Sequence, residues 1–388
     1  MAIPVLDDPN RSLSPPLQVI VAAARHYLGE DCRPSGPEEW LPSALGQSLV
    51  DAAADHSMGP LLLSYFKSVH VDVPRQTIAA LQQQNLRAAA NSMLIVRALH
   101  ELFAVDCGAL TWVTLKGVVV AEQLYGDLAL RPAHDLDLLV REAEFEAAVQ
   151  RLQDQGYQLS RRFDEALQWS FRHPETALAV DLHWGLPPRQ VHLNSDLFIA
   201  RRVEYALRGQ NVSTLSPVDT FLVACVNATK EGWLPSVHQF VDVVLAARRV
   251  NPVQWPDVVQ RARHSGCLTM VCAAVSTAAA LFGPVCQDLT AVVPASSRAD
   301  KIRREIVLHF DHSGEQEDNE PRGLVFFPSY PHYTVTLIDS RLRRWTRRWT
   351  LWLRPSKKDE EWVVLPRRLA FLYYVLRPAR WLWQRWSR

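Results

Sequence analysis

Two aspartates in an apolar stretch are the residues of this sequence whose types and spacing point most directly to chemistry. Asp135 and Asp137 are separated by one leucine and run into Leu138-Leu139-Val140, a pattern typical of a β-strand. Because side chains alternate between faces along a strand, both carboxylates are predicted on one face. Neighbouring carboxylates raise each other's proton affinity unless a cation neutralises them, and their hard oxygen atoms suit Mg²⁺ or Mn²⁺. The pair therefore predicts a metal site.

A lysine and a glycine upstream offer a seat for phosphate. Lys116 and Gly117 follow the short apolar run 110–115 and precede a stretch of helical character, 118–124. Glycine allows a tight strand-to-helix turn and lets an anion approach the free N–H groups of the helix N-terminus. Arg131, predicted in the loop before the aspartate strand, suits a triphosphate or a metal-site carboxylate, and the alternative is a surface arginine before Pro132.

A third carboxylate follows in a predicted β-hairpin. The strands are 167–172 and 177–184, joined by the turn 173–176, and the second strand carries Asp181 and His183 on one face. Two-metal phosphoryl or nucleotidyl transfer uses a further carboxylate to complete the site or to take a proton, which fits Asp181. His183 is predicted to touch the substrate or that carboxylate, and the alternative is a structural histidine beside Trp184.

The order of these parts resembles the DNA polymerase β-like nucleotidyltransferase superfamily, whose signature is a glycine turn, a helix and a strand with Asp-x-Asp. It is closer to the bacterial uncharacterised nucleotidyltransferase family, over roughly residues 90–250. The residues that carry this resemblance are Leu115-Lys116-Gly117, Leu124-Tyr125, Arg131, the DLDLLV run 135–140, Gly156-Tyr157 and the DLHW run 181–184. Many superfamily members have Gly-Ser at the turn, so the serine hydroxyl that they use there is missing here.

The resemblance implies an α+β fold, with a polymerase β-like core of a small mixed sheet and helices, flanked by N- and C-terminal helical regions. It also extends to Lys230, Trp233 and Asp242. Lys230 is predicted to reach the nucleotide phosphates across the cleft, with a solvated lysine at a helix end as the alternative. Asp242 is predicted to cap or pair structurally. Members often have histidine where this chain has Asn227.

The implied reaction is metal-dependent transfer of a nucleoside monophosphate from a nucleoside triphosphate to an unidentified acceptor, with release of pyrophosphate. Asp135, Asp137 and Asp181 would bind Mg²⁺ or Mn²⁺, and the nucleotide would contact Lys116, Gly117, Arg131, His183 and Lys230. Asp-x-Asp also marks metal-dependent glycosyltransferases, so one at the membrane surface is an alternative, distinguished by release of a nucleoside diphosphate. A non-catalytic nucleotide-binding member is the other.

Length and composition fit a large globular protein. The chain has 388 residues, 48% hydrophobic and 21% charged, and its six cysteines show no paired spacing, which favours reduced thiols in the cytoplasm. No signal peptide is indicated at the N-terminus, and the uncharged run 268–286 is predicted as a buried helix rather than a membrane span.

The predicted domains follow the chain in order. They are a disordered leader 1–16, an N-terminal helical region 17–108, the nucleotidyltransferase core 109–212, a helical region closing the cleft 213–290, a linker or insertion 291–340 and a basic tail 341–388.

The tail concentrates arginine and tryptophan. Residues 341–388 contain 14 Lys+Arg, 3 Asp+Glu and seven of the 13 tryptophans, whereas the rest of the chain has a net charge of −10. Such a mixture suits an anionic membrane surface, which would place the protein at the inner membrane face. It also suits a helix packed on the core, and less well single-stranded nucleic acid.

Overall fold

The computed structural model describes residues 13–30, 42–70, 73–106, 110–186, 193–230, 234–310 and 330–353, with single positions at 363, 372, 373 and 376. The predicted disordered leader lies outside these residues except for 13–16. Residues 311–329 of the predicted linker or insertion and most of the tail beyond 353 lie outside them as well.

Four helices precede the sheet, in the stretch where the sequence predicts a helical region. They are α1 (Pro15–Tyr27), α2 (Pro42–Asp55), α3 (Gly59–Val69) and α4 (Arg75–Asp106). Proline stands in the first turn of α1 and α3, where its missing N–H costs no helical hydrogen bond. The buried faces of α1 and α3 carry Leu17, Ile20, Leu62 and Tyr65 into the main hydrophobic core.

The described residues in the middle of the chain form seven strands and three α-helices. In order they are β1 (Val113–Thr114), α5 (Val118–Val120), β2 (Asp135–Leu139), α6 (Phe145–Asp154), β3 (Gln158–Phe163), β4 (Gln168–Arg172), β5 (Ala179–His183), α7 (Ser195–Ala200), β6 (Val203–Leu207) and β7 (Gln210–Thr214). The sheet order is β3-β4-β5-β2-β1-β7-β6. Since β2 pairs parallel with β5, β1 pairs parallel with β7 and the other pairs are antiparallel, the sheet is mixed and the α+β prediction is confirmed.

The core boundary predicted at residue 212 falls inside β7. Thr114 of β1 is paired with Thr214, and the Thr114 hydroxyl donates to the Ser213 carbonyl at 3.2 Å. The β6–β7 hairpin is therefore part of the sheet, and the sheet ends at Thr214.

Further helices follow the sheet. They are α8 (Pro217–Lys230), α9 (Val237–Arg249), α10 (Trp255–His264), α11 (Leu268–Phe282), α12 (Gln287–Val292), α13 (Ser297–His309), α14 (Tyr330–Thr336) and α15 (Arg341–Leu353). In the stretch 291–340, which the sequence predicts as a linker or insertion, α13 buries Ala299, Ile302 and Ile306 in the main core. Its three apolar residues at helical spacing suffice to dock an otherwise charged helix.

One helical stretch of the described residues, Leu268–Val292, is long and apolar enough to cross a membrane. Of its most hydropathic window, 67% is buried inside the protein. Within it, α11 packs Met270, Val271, Ala274 and Phe282 into the main core. This burial is what a core helix requires.

Candidate functional site

The register between β2 and β5 brings the predicted acidic residues together. In this parallel pair Asp137 lies opposite Asp181, and Leu139 lies opposite His183. Side chains at paired positions of neighbouring strands share a face of the sheet. The two aspartates and the histidine therefore lie next to each other, although 44 residues separate Asp137 from Asp181 along the chain.

Asp137, Asp181 and His183 form a compact group of donors. Their ligand atoms all lie within 4.8 Å of one another, and His183 Nε2 is 3.2 Å from Asp137 Oδ1. Ser170 on β4 lies opposite Asp181 and donates its hydroxyl hydrogen to Asp181 Oδ1 at 2.6 Å. Asp137 is only 1% exposed, so its charge needs a partner within the protein or a bound cation.

Lys116 supplies the positive charge nearest to this group. Its Nζ is 3.0 Å from Asp137 Oδ2 and 3.8 Å from Asp135 Oδ1. The lysine predicted to seat phosphate thus neutralises the two aspartates of the β2 strand. Asp135 lies on the same face as Asp137 but outside the three-residue donor group, and its metal-binding role stays a prediction.

The carboxylates have very different proton affinities. The pKa of Asp135 is raised to about 7, chiefly by the negative charge of Asp137 and then by burial. Burial acts to raise the pKa of Asp137 too, but the Lys116 ammonium and the His183 hydrogen bond hold it well below its ordinary value. Burial and then Asp137 raise the pKa of Asp181. Three acids so close keep their charge only with a cation among them.

The donor atoms fit a hard divalent cation. Two carboxylates and an imidazole are ligands that Mn²⁺ and Mg²⁺ accept, and His183 Nδ1 is buried without a hydrogen-bond partner in the described part of the chain. The Lys116 ammonium contacts Asp137 Oδ2 and therefore competes with a cation for that oxygen.

Gly117 makes the turn after β1, as predicted. Its φ of +74° and ψ of −135° lie in a region that residues with a side chain rarely adopt, and an added Cβ would approach the Asp135 carbonyl oxygen at 3.4 Å. The Leu115 N–H donates to the Asp137 carbonyl at 3.2 Å, so the turn is tied to β2. The following helix is α5 continued by a π turn, Ala121–Tyr125.

Replacing Gly117 by alanine is expected to lower the free energy of unfolding by about 1–3 kcal/mol. Glycine adopts the backbone conformation of this turn without strain, whereas alanine must either hold an unfavourable conformation or shift the turn. Urea denaturation measures the change. Gly126→Asn is the control, since Gly126 has an ordinary left-handed conformation, with φ of +74° and ψ of −3°, which asparagine tolerates. If Gly117→Ala is as stable as the wild type, the turn does not require glycine.

Arg131 lies in a different environment from the one predicted for it. It is buried, and its Nε and Nη2 donate to the two carboxylate oxygens of Asp242 on α9, at 2.9 and 2.8 Å. Tyr125 Oη donates to the same carboxylate at 2.7 Å, and Arg131 Nη1 donates to the Gly117 carbonyl at 3.5 Å. Arg131 therefore supports the glycine turn, whereas a contact with a triphosphate or with a metal-site carboxylate was expected. Asp242 pairs structurally, as the sequence predicted.

A cavity of about 280 Å³ opens onto the donor group. Its sheet wall contains Lys116, Asp137, Gln168, Asp181 and His183. Its opposite wall is one face of α8, with Val223, Val226, Asn227 and Lys230 at positions one or two helical turns apart. Lys230 thus faces the acidic residues from across the cavity, on the side where the sequence predicted it.

Sequence reasoning missed two polar side chains of β4: Gln168, which lines the cavity, and Ser170, which contacts Asp181. Ser170 and Gln168 alternate along β4, so a signal was present in the predicted strand 167–172. Their closeness to the donor group depends on the strand register, which sets Ser170 beside Asp181 and Gln168 beside His183.

Comparisons with known proteins indicate the family to which this chain belongs. The family model described as "Uncharacterised nucleotidyltransferase" matches residues 43–283, which is more than half of the chain and a wider range than the predicted resemblance. No curated protein matches. Among solved structures, an antigenic nucleotidyltransferase-like protein from Paracoccidioides brasiliensis is 16% identical, covering 45% of this chain and 89% of that chain with a TM-score of 0.29. The assignment depends on the family match: this chain belongs to the uncharacterised nucleotidyltransferase family.

Proposed function

We propose that this protein is a metal-dependent nucleotidyltransferase that moves a nucleoside monophosphate from a nucleoside triphosphate to an acceptor and releases pyrophosphate. The observation that carries the proposal is the group formed by Asp137, Asp181 and His183 at the base of a cavity that also presents Lys116 and Lys230. A metal-bound triphosphate needs carboxylates that bind the cation and ammonium groups that bind the phosphates, and this site contains both.

Each residue has a role in the proposed reaction. An oxygen of the acceptor forms a bond to the α-phosphorus while the bond from that phosphorus to the bridging oxygen breaks, and pyrophosphate leaves with the electron pair. Asp181, whose pKa is raised by burial, has the proposed role of taking the proton of an acceptor hydroxyl. A cation held by the donor group would neutralise the phosphate oxygens and withdraw charge from the reacting phosphorus.

Lys116 and Lys230 have the task of binding phosphate oxygens from the two walls of the cavity. In the structure Lys116 pairs with Asp137, so a cation that takes over Asp137 sets the ammonium free for an anion. The lysine takes the place of the serine hydroxyl that many superfamily members have at the turn. Cation and triphosphate are therefore expected to bind together more tightly than either binds alone.

Calorimetry of each nucleoside triphosphate, with and without Mg²⁺ or Mn²⁺, tests the proposal. We expect binding only with the cation, and loss of binding in the Asp135→Ala/Asp137→Ala double variant. Lys116→Met and Lys230→Met should each weaken triphosphate binding about tenfold or more, whereas Lys67→Met, at an exposed position, should not. If the folded wild type binds no nucleoside triphosphate, the proposal fails.

Turnover is then followed as release of pyrophosphate from the bound nucleotide during an acceptor screen. Release of a nucleoside diphosphate from a nucleotide sugar would instead identify a glycosyltransferase. Pyrophosphate formation that disappears in Asp181→Asn would assign the chemistry to this site.

A nucleotide-binding member without turnover is the second candidate, and one observation favours it: Lys116 already neutralises Asp137. Nucleotide binding without turnover throughout the acceptor screen would identify this candidate, and the lysine variant assigns the role of Lys116. If the lysine only competes with the cation, Lys116→Met binds Mn²⁺ more tightly than the wild type and keeps its triphosphate affinity. If it serves the phosphates, Mn²⁺ affinity rises but triphosphate affinity falls.

A further inference from the structure

The helix α15 turns an apolar face to solvent. Leu342, Trp345 and Trp349 are 70%, 59% and 44% exposed, and their spacing of three and four residues places them on one side of the helix. The two indole rings lie edge to face with centroids 5.7 Å apart. An exposed pair of tryptophans beside a leucine is unusual on a protein surface and marks a place of contact.

The opposite side of α15 holds the helix to the protein. Arg344 Nη1 donates to the carbonyl oxygens of Ile338 and Asp339, each at 2.6 Å. Arg344 is thus bound to the segment before the helix, whereas Leu342 and the two tryptophans are largely exposed.

The segment that precedes α15 is fixed to the core. The Asp339 carboxylate accepts hydrogen bonds from the backbone N–H groups of Leu268 and Thr269, at 2.8 and 3.1 Å, at the start of α11. Arg298 of α13 donates to the Ile338 carbonyl at 2.7 Å. These bonds fix the direction in which the Trp345 face points, because the helix begins two residues after Asp339.

Positive charge surrounds the apolar face. Arg341, Arg343 and Arg348 are exposed and flank it, and the whole segment 341–388 has 14 Lys+Arg against 3 Asp+Glu. A partner for this surface must therefore be anionic. A second copy of the chain using the same face would set arginines against arginines, which is unfavourable.

We propose that α15 binds the surface of an anionic lipid bilayer. Leu342, Trp345 and Trp349 would enter the headgroup region, where indole rings are favoured, and the flanking arginines would contact lipid phosphates. Among anionic partners, a bilayer combines an apolar layer that can take up the tryptophans with phosphate groups for the arginines. Its surface is also large enough to contact the whole helix. The proposal is independent of the proposed nucleotidyl transfer.

Flotation of the full-length protein with vesicles tests it. The vesicles are phosphatidylcholine alone, or equal parts of phosphatidylcholine and phosphatidylglycerol, at low and high salt. The wild type should float with the anionic vesicles at low salt and remain behind with the neutral ones. Trp345→Ala/Trp349→Ala should weaken this binding roughly tenfold or more, since binding strength scales with buried apolar area. Arg341→Gln/Arg343→Gln/Arg348→Gln should weaken it by about fivefold for each arginine.

The matched control is Leu86→Ala/Val253→Ala, which removes two exposed apolar side chains from other helices and should float like the wild type. All the changed side chains are exposed, so circular dichroism should show an unchanged fold. The proposal is overturned if the wild type does not float with anionic vesicles. It is also overturned if the tryptophan variant floats equally well, or if the tryptophans instead mediate a concentration-dependent dimer seen by sedimentation velocity.

Discussion

Asp181→Asn is expected to weaken Mn²⁺ binding at least about a hundredfold, and Asp137→Asn by a similar factor, because each removes a charged donor from a group of three. Asparagine keeps the shape of aspartate, so the lost affinity reports charge and ligand chemistry. Binding is measured by electron paramagnetic resonance, in which free and bound Mn²⁺ give separate signals.

Matched variants locate the effect. Ser170→Ala removes the hydroxyl that donates to Asp181 and should cost about 10–100-fold, since a residue that orients a ligand contributes less than the ligand. Asp154→Asn, at an exposed position on α6, removes the same charge far from the group and should leave Mn²⁺ affinity unchanged. Full Mn²⁺ affinity in Asp181→Asn would contradict the proposed donor group.

The variant Asp135→Asn separates two descriptions of the site. The sequence predicts Asp135 as a metal ligand, whereas in the structure Asp135 lies outside the three-residue group, beside Lys116. A loss of Mn²⁺ affinity as large as that of Asp137→Asn would include Asp135 among the ligands. A smaller loss would restrict it to holding Lys116 and tuning the charge of Asp137.

The sequence predicted those parts of the site that depend only on the alternation of side chains along a single strand. Alternation along a strand was enough to place Asp135 with Asp137, and Asp181 with His183, on shared faces. The pairing of Asp137 with Asp181 depends on the parallel register of β2 and β5, which no short stretch of sequence contains. The β6–β7 hairpin was missed, although the sequence has a glycine between two alternating stretches. In the structure Arg208 and Gly209 form a two-residue turn there, with φ of 48° and 90°.

The partner of Arg131 could not be predicted from its surroundings in the sequence. A loop arginine before proline, close to two aspartates, was assigned to a triphosphate or to a metal-site carboxylate because the nearby charges were the visible clue. Asp242 is 111 residues away and approaches only when α9 packs against the π turn that ends at Tyr125. Burial then makes the bidentate pair obligatory, because an unpaired guanidinium in the interior would be costly.

That pair gives the largest expected effect on stability. Asp242→Ala should lower the free energy of unfolding by about 3–5 kcal/mol, since it leaves Arg131 buried with its main partner gone and removes the acceptor of the Tyr125 hydroxyl. Burial and then Asp242 raise the pKa of Tyr125, so that phenol stays protonated and cannot replace the missing negative charge near neutral pH. Denaturant unfolding measures the loss.

Two further variants show whether the loss comes from an uncompensated charge. Arg131→Met/Asp242→Leu should recover most of the stability, because apolar residues of similar size often replace a buried ion pair without penalty. Glu101→Ala breaks the exposed Arg97–Glu101 pair on α4 and should cost less than about 1 kcal/mol. A double variant as unstable as Asp242→Ala would mean that the pair itself, with its bond to the Gly117 carbonyl, holds the turn in place. In that case triphosphate affinity should fall together with stability in both variants.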